Sequence, residues 1–340
     1  MQSETRLRLK TLPKVELHRH LELSLRPSTI KELAPTFDID LPDEKTFFNR
    51  FIIGEPMRNL GDVLNKFLDT QLLLASEEIL ERISYEACLD AFSEGVRVLE
   101  LRYAPTFVRH RHEHLSFQKI HNAIAKGVRR AEGECPIAVG LICIIQRILP
   151  VQEAEAVTSF AIENKASFIG LDLADNEDGF DSKPFSPFFR RAKSAGLGVT
   201  VHAGEVNLPT APRNVKDAID YLGATRIGHG VRIFTNPEII EYVRDRGVVL
   251  ELCPTSNYLT QAVSGDLSDL PYRQLFDAGV RVTFNTDDPG IFATNLIHEY
   301  EILLERCGFT IEDLKHCNET AKAASFIAPE KIARVWPKII

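Results

Sequence analysis

Eight short runs rich in branched and aromatic residues recur along this 340-residue chain, and that recurrence restricts the fold more than any other feature. They are VELHRHLE (15–22), VRVLELRYAP (96–105), IAVGLICII (137–145), FIGLDLADN (168–176), GVTVHAGE (198–205), RIGHGV (226–231), VVLELCPTSN (248–257) and VRVTFNTDDP (280–289). Helix-like segments separate them at 75–94, 116–132, 151–164, 185–195, 213–222, 236–245 and 267–278. Strands alternating with helices imply βαβ units and a parallel sheet. Eight such units predict an α/β fold, a (β/α)8 TIM-type barrel, with a doubly wound open sheet as the alternative. No Gly/Ser/Pro-rich linker, low-complexity tract or fixed-period repeat interrupts the chain, so residues 1–340 are expected to form a single domain.

The first connection breaks the rhythm with a long helical insertion after strand 1, roughly seventy residues against the usual handful. Within it, LGDVLNKFLDTQLLL (60–74) places Leu60, Val63, Leu64, Phe67 and Leu68 at helical spacing. Those side chains either pack onto the barrel or form an apolar lid over its mouth.

Polar residues gather at strand ends. Alternate side chains of a strand share a face, so His18 and His20 point the same way, with Glu16 and Glu22 expected beside them and Val15, Leu17 and Leu21 opposite. Two neutral imidazoles side by side begin a zinc site. Strand five ends in His202-Ala203-Gly204-Glu205, strand six in Gly228-His229-Gly230, and strand eight in Thr286-Asp287-Asp288-Pro289. Taken singly, His202 reads as a core histidine, His229 as part of a tight turn, and Asp287-Asp288-Pro289 as a strand stop. In a barrel these ends share one rim, where catalysis takes place. Three histidines and an aspartate suit zinc with an open water position. Adjacent aspartates point apart in a regular strand, so the backbone must bend if Asp287 and Asp288 serve one pocket. His110, His112 and His114, in RHRHEHLS, read as a solvated loop.

Forty basic against 48 acidic residues give a net charge of −8, which argues against nucleic-acid or membrane-surface partners. Six cysteines lack CxxC spacing, and Cys143 and Cys253 read as buried reduced thiols. The start, MQSETRLRLK, has no apolar signal core, and the longest apolar stretch, around 136–145, is too short to cross a bilayer. A soluble cytoplasmic protein is expected, its oligomeric state left open.

The motifs LPKVELHRHLE, HAGE (202–205), GHG (228–230), CPTSN (253–257) and NTDDP (285–289) resemble the adenosine deaminase family of metal-dependent purine deaminases. They occur in that family's order, and the likeness runs from about residue 11 to 330. The resemblance implies a barrel holding one Zn2+ on His18, His20, His202 and Asp287. The substrate is then a small purine nucleoside or base, favouring adenosine or 2′-deoxyadenosine, deaminated by attack of zinc-bound hydroxide on C6. Glu205 would protonate ring N1, His229 would act as base and electrostatic partner, and Asp288 would orient the nucleophile and read N7. His20, Glu22 and Asp175 would border the substrate.

Two departures bear on specificity. Leu21-Glu22-Leu23 replaces the family's Leu-Asp-Gly, whose aspartate contacts ribose, and DLADNE (172–177) places Asp175 where DLAGDE has glycine. Adenine, N6-methyl-AMP and 6-aminodeoxyfutalosine are therefore alternative substrates, and a catalytically silent zinc-binding barrel is another reading. A two-metal lactonase or phosphoesterase would more often recruit a strand-four lysine, which FIGLDLADN lacks. The cytidine-type deaminases need PCxxC, which is absent.

Overall fold

A computed structural model describes residues 2–57 and 60–337, with the side chains of 2, 3, 60–62 and 65 outside the described set. The eight strands are β1 (Lys14–His20), β2 (Val96–Tyr103), β3 (Ala138–Gln146), β4 (Phe168–Ala174), β5 (Gly198–Ala203), β6 (Arg226–His229), β7 (Val249–Leu252) and β8 (Arg281–Phe284). They run in the order β1 to β8, every neighbouring pair parallel. This is the expected (β/α)8 barrel, not an open sheet.

Closure between β8 and β1 is made just beyond β8. Asp287 N–H donates to the His18 carbonyl at 3.0 Å, and His20 N–H donates to the Asp287 carbonyl at 2.8 Å. Leu17 N–H donates to the Asn285 side chain at 2.8 Å. The residues that join the sheet's two edges thus belong to the HxH and NTDDP motifs themselves.

β1 does not keep strict alternation. Glu16 pairs with Leu99 and Arg19 with Leu101, so β1 advances three residues while β2 advances two. This extra residue shifts the facing of everything after it. Val15 and Leu17 pack with Val98, Ala138, Ala321, Ile327 and Ile332, at the end of the barrel covered by the C-terminal segment. His18 and His20 then face the site, while Glu16 leaves the face expected for it. Its carboxylate accepts the Thr286 N–H at 3.1 Å and pairs with Arg19.

The expected helices appear at Glu77–Ser93, Phe117–Glu134, Val151–Glu163, Ser186–Ser194 and Pro237–Asp245. Expected segment 213–222 is a helix at Ala211–Asp217 running into a π turn, and 267–278 is two shorter pieces, Leu267–Asp269 and Tyr272–Asp277. Helices Leu296–Glu305, Ile311–Ala324 and Pro329–Val335 follow the barrel. Cys143 and Cys253 are buried and unpaired, as expected. Among the described residues no helix is long and apolar enough to cross a membrane.

The insertion contains helices Pro27–Leu33, Glu44–Phe51 and Leu60–Leu72. The last one packs onto the barrel and also borders its mouth, with Phe67 and Leu64 taking part in both. Val63 packs with Leu23, Ile53, Leu259 and Ile291, whereas Leu64, Phe67 and Leu68 line a cavity at the barrel mouth. The Leu60 side chain lies outside the described residues.

Helix Leu296–Glu305 supports the loop after β7 through buried Glu299, which accepts the Thr255 N–H at 2.9 Å and the Thr294 hydroxyl. Burial, only partly offset by these hydrogen bonds, pushes its carboxyl from 4.5 up to about 7. A carboxyl raised on folding contributes stability that is fully present below its unfolded pKa and lost as pH rises through the folded one. Glu299→Gln keeps the neutral shape at every pH. Its stability relative to wild type should therefore improve by roughly 2–3 kcal/mol between pH 5 and pH 8, measured by urea unfolding. A difference that does not change with pH would refute the assignment.

Candidate active site

Four residues from three distant parts of the chain meet at the carboxyl rim. One ligating atom from each of His18, His20, His202 and Asp287 lies within 4.8 Å of all the others. His18 Nε2 stands 3.0 Å and His20 Nε2 3.3 Å from Asp287 Oδ1, and the two Nε2 atoms of His20 and His202 are 3.1 Å apart. Ligands about 2 Å from a common tetrahedral ion stand a little over 3 Å from one another, so the spacing fits a zinc-sized cation. The buried His18 Nε2 has no hydrogen-bond partner, which is costly for a nitrogen that serves only the fold.

A second ring of charge orients these imidazoles. His18 Nδ1 bonds Glu251 Oε2 at 2.9 Å, and His202 Nδ1 bonds Asp172 at 3.0 Å. Arg102, fully buried, donates to Asp172 at 2.9 Å, to Glu251 at 2.8 Å and to the Leu17 carbonyl at 2.6 Å. Burial alone would raise both carboxyls. His202 and Arg102 hold Asp172, and Arg102 and Arg226 hold Glu251, well below the usual carboxylate range. With the Nδ1–H of His18 and of His202 given to a carboxylate, their Nε2 lone pairs face the ion position.

None of Arg102, Asp172 or Glu251 was singled out from sequence. Their signal was present as charged residues inside otherwise apolar strands, in LELRY, GLDLA and VLEL. Such groups are rarely buried without a partner.

Backbone geometry makes room for the cluster. Asp287 adopts φ 63°, the left-handed bend that lets adjacent aspartates serve one pocket. His229 (φ 61°) and Asp175 (φ 81°) are bent likewise, and such strain concentrates at functional rims. A Cβ on Gly228 would lie 2.9 Å from His18 Cε1 and 3.3 Å from its Nδ1, so the bare glycine is what admits that ring.

The proton-handling groups surround the same point. Glu205, His229, Asp287 and Asp288 line one small cavity with His20 and His202. Burial, then Asp287 and Glu177, push the Glu205 carboxyl well up, and burial with Asp287 and Glu22 does the same to Asp288. Burial lowers His229 and keeps it neutral. His229 Nδ1 accepts from Asn257 Nδ2 at 2.9 Å, and Asn257 Oδ1 accepts from Tyr272 at 2.8 Å. The neutral imidazole therefore carries its proton on Nε2, the nitrogen 3.6 Å from Glu205 and 3.8 Å from Asp287.

Glu177 fixes the HAGE turn by accepting the consecutive N–H groups of Gly204, Glu205 and Val206 at 3.0, 2.7 and 2.8 Å. Glu22 sits beside His20 and accepts the Ala104 N–H. Asp175 borders both the small cavity and the larger one next to it.

The loop histidines stand apart from this centre, yet they are not a solvated loop throughout. His112 is buried and bonds the Gln71 carbonyl at 3.0 Å, His114 bonds that of Ala75 at 3.0 Å, and His110 lines the larger cavity. His112 and His114 tie the segment after β2 to the end of the insertion.

A family profile described as adenosine deaminase matches residues 13–340. The adenosine deaminase of Plasmodium knowlesi is 35% identical over 336 residues, covering 96% of this chain and 91% of that protein. A zinc-bound amidohydrolase from Burkholderia ambifaria superposes with a TM-score of 0.87 at 30% identity, covering 96% of this chain and 89% of the other. The N6-methyl-AMP deaminase of Arabidopsis thaliana superposes with a TM-score of 0.81 at 26% identity, covering 97% and 96%.

Glu251→Gln should lower metal affinity by roughly 10–100-fold, read by chelator competition, because it weakens the acceptor that turns His18 toward the ion. Wild-type affinity in that variant would mean that the ring of charge does not govern the ligands.

Proposed function

Because the chain belongs to the adenosine deaminase family of metal-dependent hydrolases, we propose that it deaminates adenosine or 2′-deoxyadenosine to inosine or 2′-deoxyinosine and ammonia. One observation carries the reading: the His/Asp cluster, a proton-retaining Glu205, a neutral His229 and a buried Asp288 converge on a single cavity. One zinc ion per chain would be held by His18, His20, His202 and Asp287. When bound, zinc acts as a Lewis acid that readies water for attack near neutral pH.

The chain's own groups divide the remaining work. Glu205, kept protonated by burial, donates to ring N1 and makes C6 more electrophilic. His229 presents Nε2–H toward the attacking oxygen, so in the resting site it is an electrostatic partner, and the base role expected for it needs the other tautomer. Asp288 Oδ1, buried without a hydrogen-bond partner, is free to orient the nucleophile and to meet N7. Burial strengthens each of these interactions.

Asp175 favours a second reading of the substrate. A carboxylate stands at a left-handed position where the family's motif has glycine, beside Glu22 in place of aspartate. A different 6-aminopurine (adenine, N6-methyl-AMP or 6-aminodeoxyfutalosine) is therefore the alternative.

Ammonia release from a panel of these compounds separates the readings. Adenosine turnover supports the first, and turnover of another member alone supports the second. Glu205→Gln should retain zinc while losing about 10²–10⁴ in kcat, since it removes the proton given to N1. His18→Ala should fail to hold zinc by elemental analysis, because it deletes a ligand and leaves the others facing one another. Normal turnover in the first variant, or full metal in the second, would sink the roles assigned.

A further inference from the structure

His18 and His20 turn toward the metal-ligating cluster, and Arg19 between them lines a separate cavity of about 650 Å³. The N-terminal helix Gln2–Thr11, the end of helix Glu77–Ser93, residues 24–27 and the loop after β8 enclose it. Among the described residues, none that lines it also lines the cavity at the cluster or the larger one beside that.

Arg19 is only 2% exposed, yet it is loosely held. Its Nε donates to Ser24 Oγ and its Nη1 to Glu16, each at 3.4 Å, and Glu94 stands 3.7 Å away. No hydrogen bond of Nη2 is found among the described residues. The buried Arg102, by contrast, is bound at distances between 2.6 and 2.9 Å. Burial pushes the Glu94 carboxyl from 4.5 up to about 7 against the pull of Arg19, so near neutral pH it answers the guanidinium only in part. A guanidinium removed from water without close acceptors gains by meeting an anion.

The rest of the lining points the same way. Arg6, Lys10 and Arg26 bring three further cations to the cavity, against the carboxyl groups of Asp90 and Glu94. Asp90 is engaged by Arg26, whose Nε and Nη2 donate to it at 2.8 and 2.7 Å. Arg6 reaches Glu301 only at 3.5 Å, and Lys10 is exposed with no ion pair among the described residues. In a chain of net charge −8 this is a local excess of positive charge. Leu7, Leu25, Pro27, Pro289 and Ile297 supply apolar wall beside it.

We propose that this cavity is a second binding site, for phosphate monoesters that carry a small apolar body. The phosphoryl group, with a charge of about −2 at neutral pH, meets Arg19 and Lys10, the first as a planar fork and the second as a point charge. The apolar body lies against the leucines and prolines. The site stands independently of the deaminase reading.

Calorimetry on the zinc-loaded protein with phenyl phosphate, inorganic phosphate and phenol tests the assignment. Phenyl phosphate should bind roughly tenfold tighter than inorganic phosphate, through burial of its ring, and phenol more weakly than either. Lys10→Glu should weaken phenyl phosphate by roughly tenfold, and raising salt from about 20 mM to about 200 mM should weaken it severalfold. Lys10 is the better probe because it is exposed, whereas replacing Arg19 would strand Glu16 and Glu94; an unchanged unfolding midpoint in urea confirms that the variant is folded. Phosphate held by the zinc instead would ignore Lys10→Glu. That result, equal affinity for inorganic phosphate and phenyl phosphate, or no binding of phenyl phosphate overturns the proposal, whatever the protein deaminates.

Discussion

The site depends on one buried guanidinium. Arg102 lies between Asp172 and Glu251, at 2.9 and 2.8 Å, with no solvent to share the charge. A charge in that position is tolerated only with close partners, and those carboxylates in turn need donors of their own. His202 and His18 supply them, and so each imidazole loses its rotational freedom and its choice of tautomer together. Removing any member would leave a buried charge unpaired, which costs far more than one hydrogen bond. The orientation of His18 and His202 is thus set by the electrostatics of β2, β4 and β7.

Around this frame the backbone is bent where the chemistry needs it. Asp287 takes a left-handed conformation at the point where β8 meets β1, so the residue that closes the barrel also joins the cluster of His18, His20 and His202. The extra residue in β1 brings His18 and His20 to the site after Val15 and Leu17 have served the core. Gly228 gives its missing Cβ to the His18 ring. Undoing any of these distortions would move a residue of the His/Asp cluster.

The cavity is asymmetric. At the ring end, carboxyl and imidazole groups are packed closely enough to shift one another's proton affinity. At the other end the insertion helix Leu60–Leu72 contributes Leu64, Phe67 and Leu68 to an apolar wall. Proton transfer of the kind proposed requires the first environment, and the second offers apolar contact.

What the amino-acid sequence determined by itself was local or periodic. Eight β-like runs, the helices between them, and polar groups at strand ends announce a barrel with chemistry on one rim, since strand and helix periods are written in neighbouring residues. His18, His20, His202, Glu205, His229, Asp287 and Asp288 stand out because each lies near or just beyond the carboxyl end of a strand. Only the tertiary structure decided that Glu16 turns away to Thr286, that Glu177 clamps the HAGE turn, and that Asn257 sets the proton on His229. Only it could join Arg102 to Asp172 and Glu251, residues 70 and 149 positions away. The reason is physical: a buried charge identifies its partner through space, and the spacing along the chain carries no trace of which partner that will be.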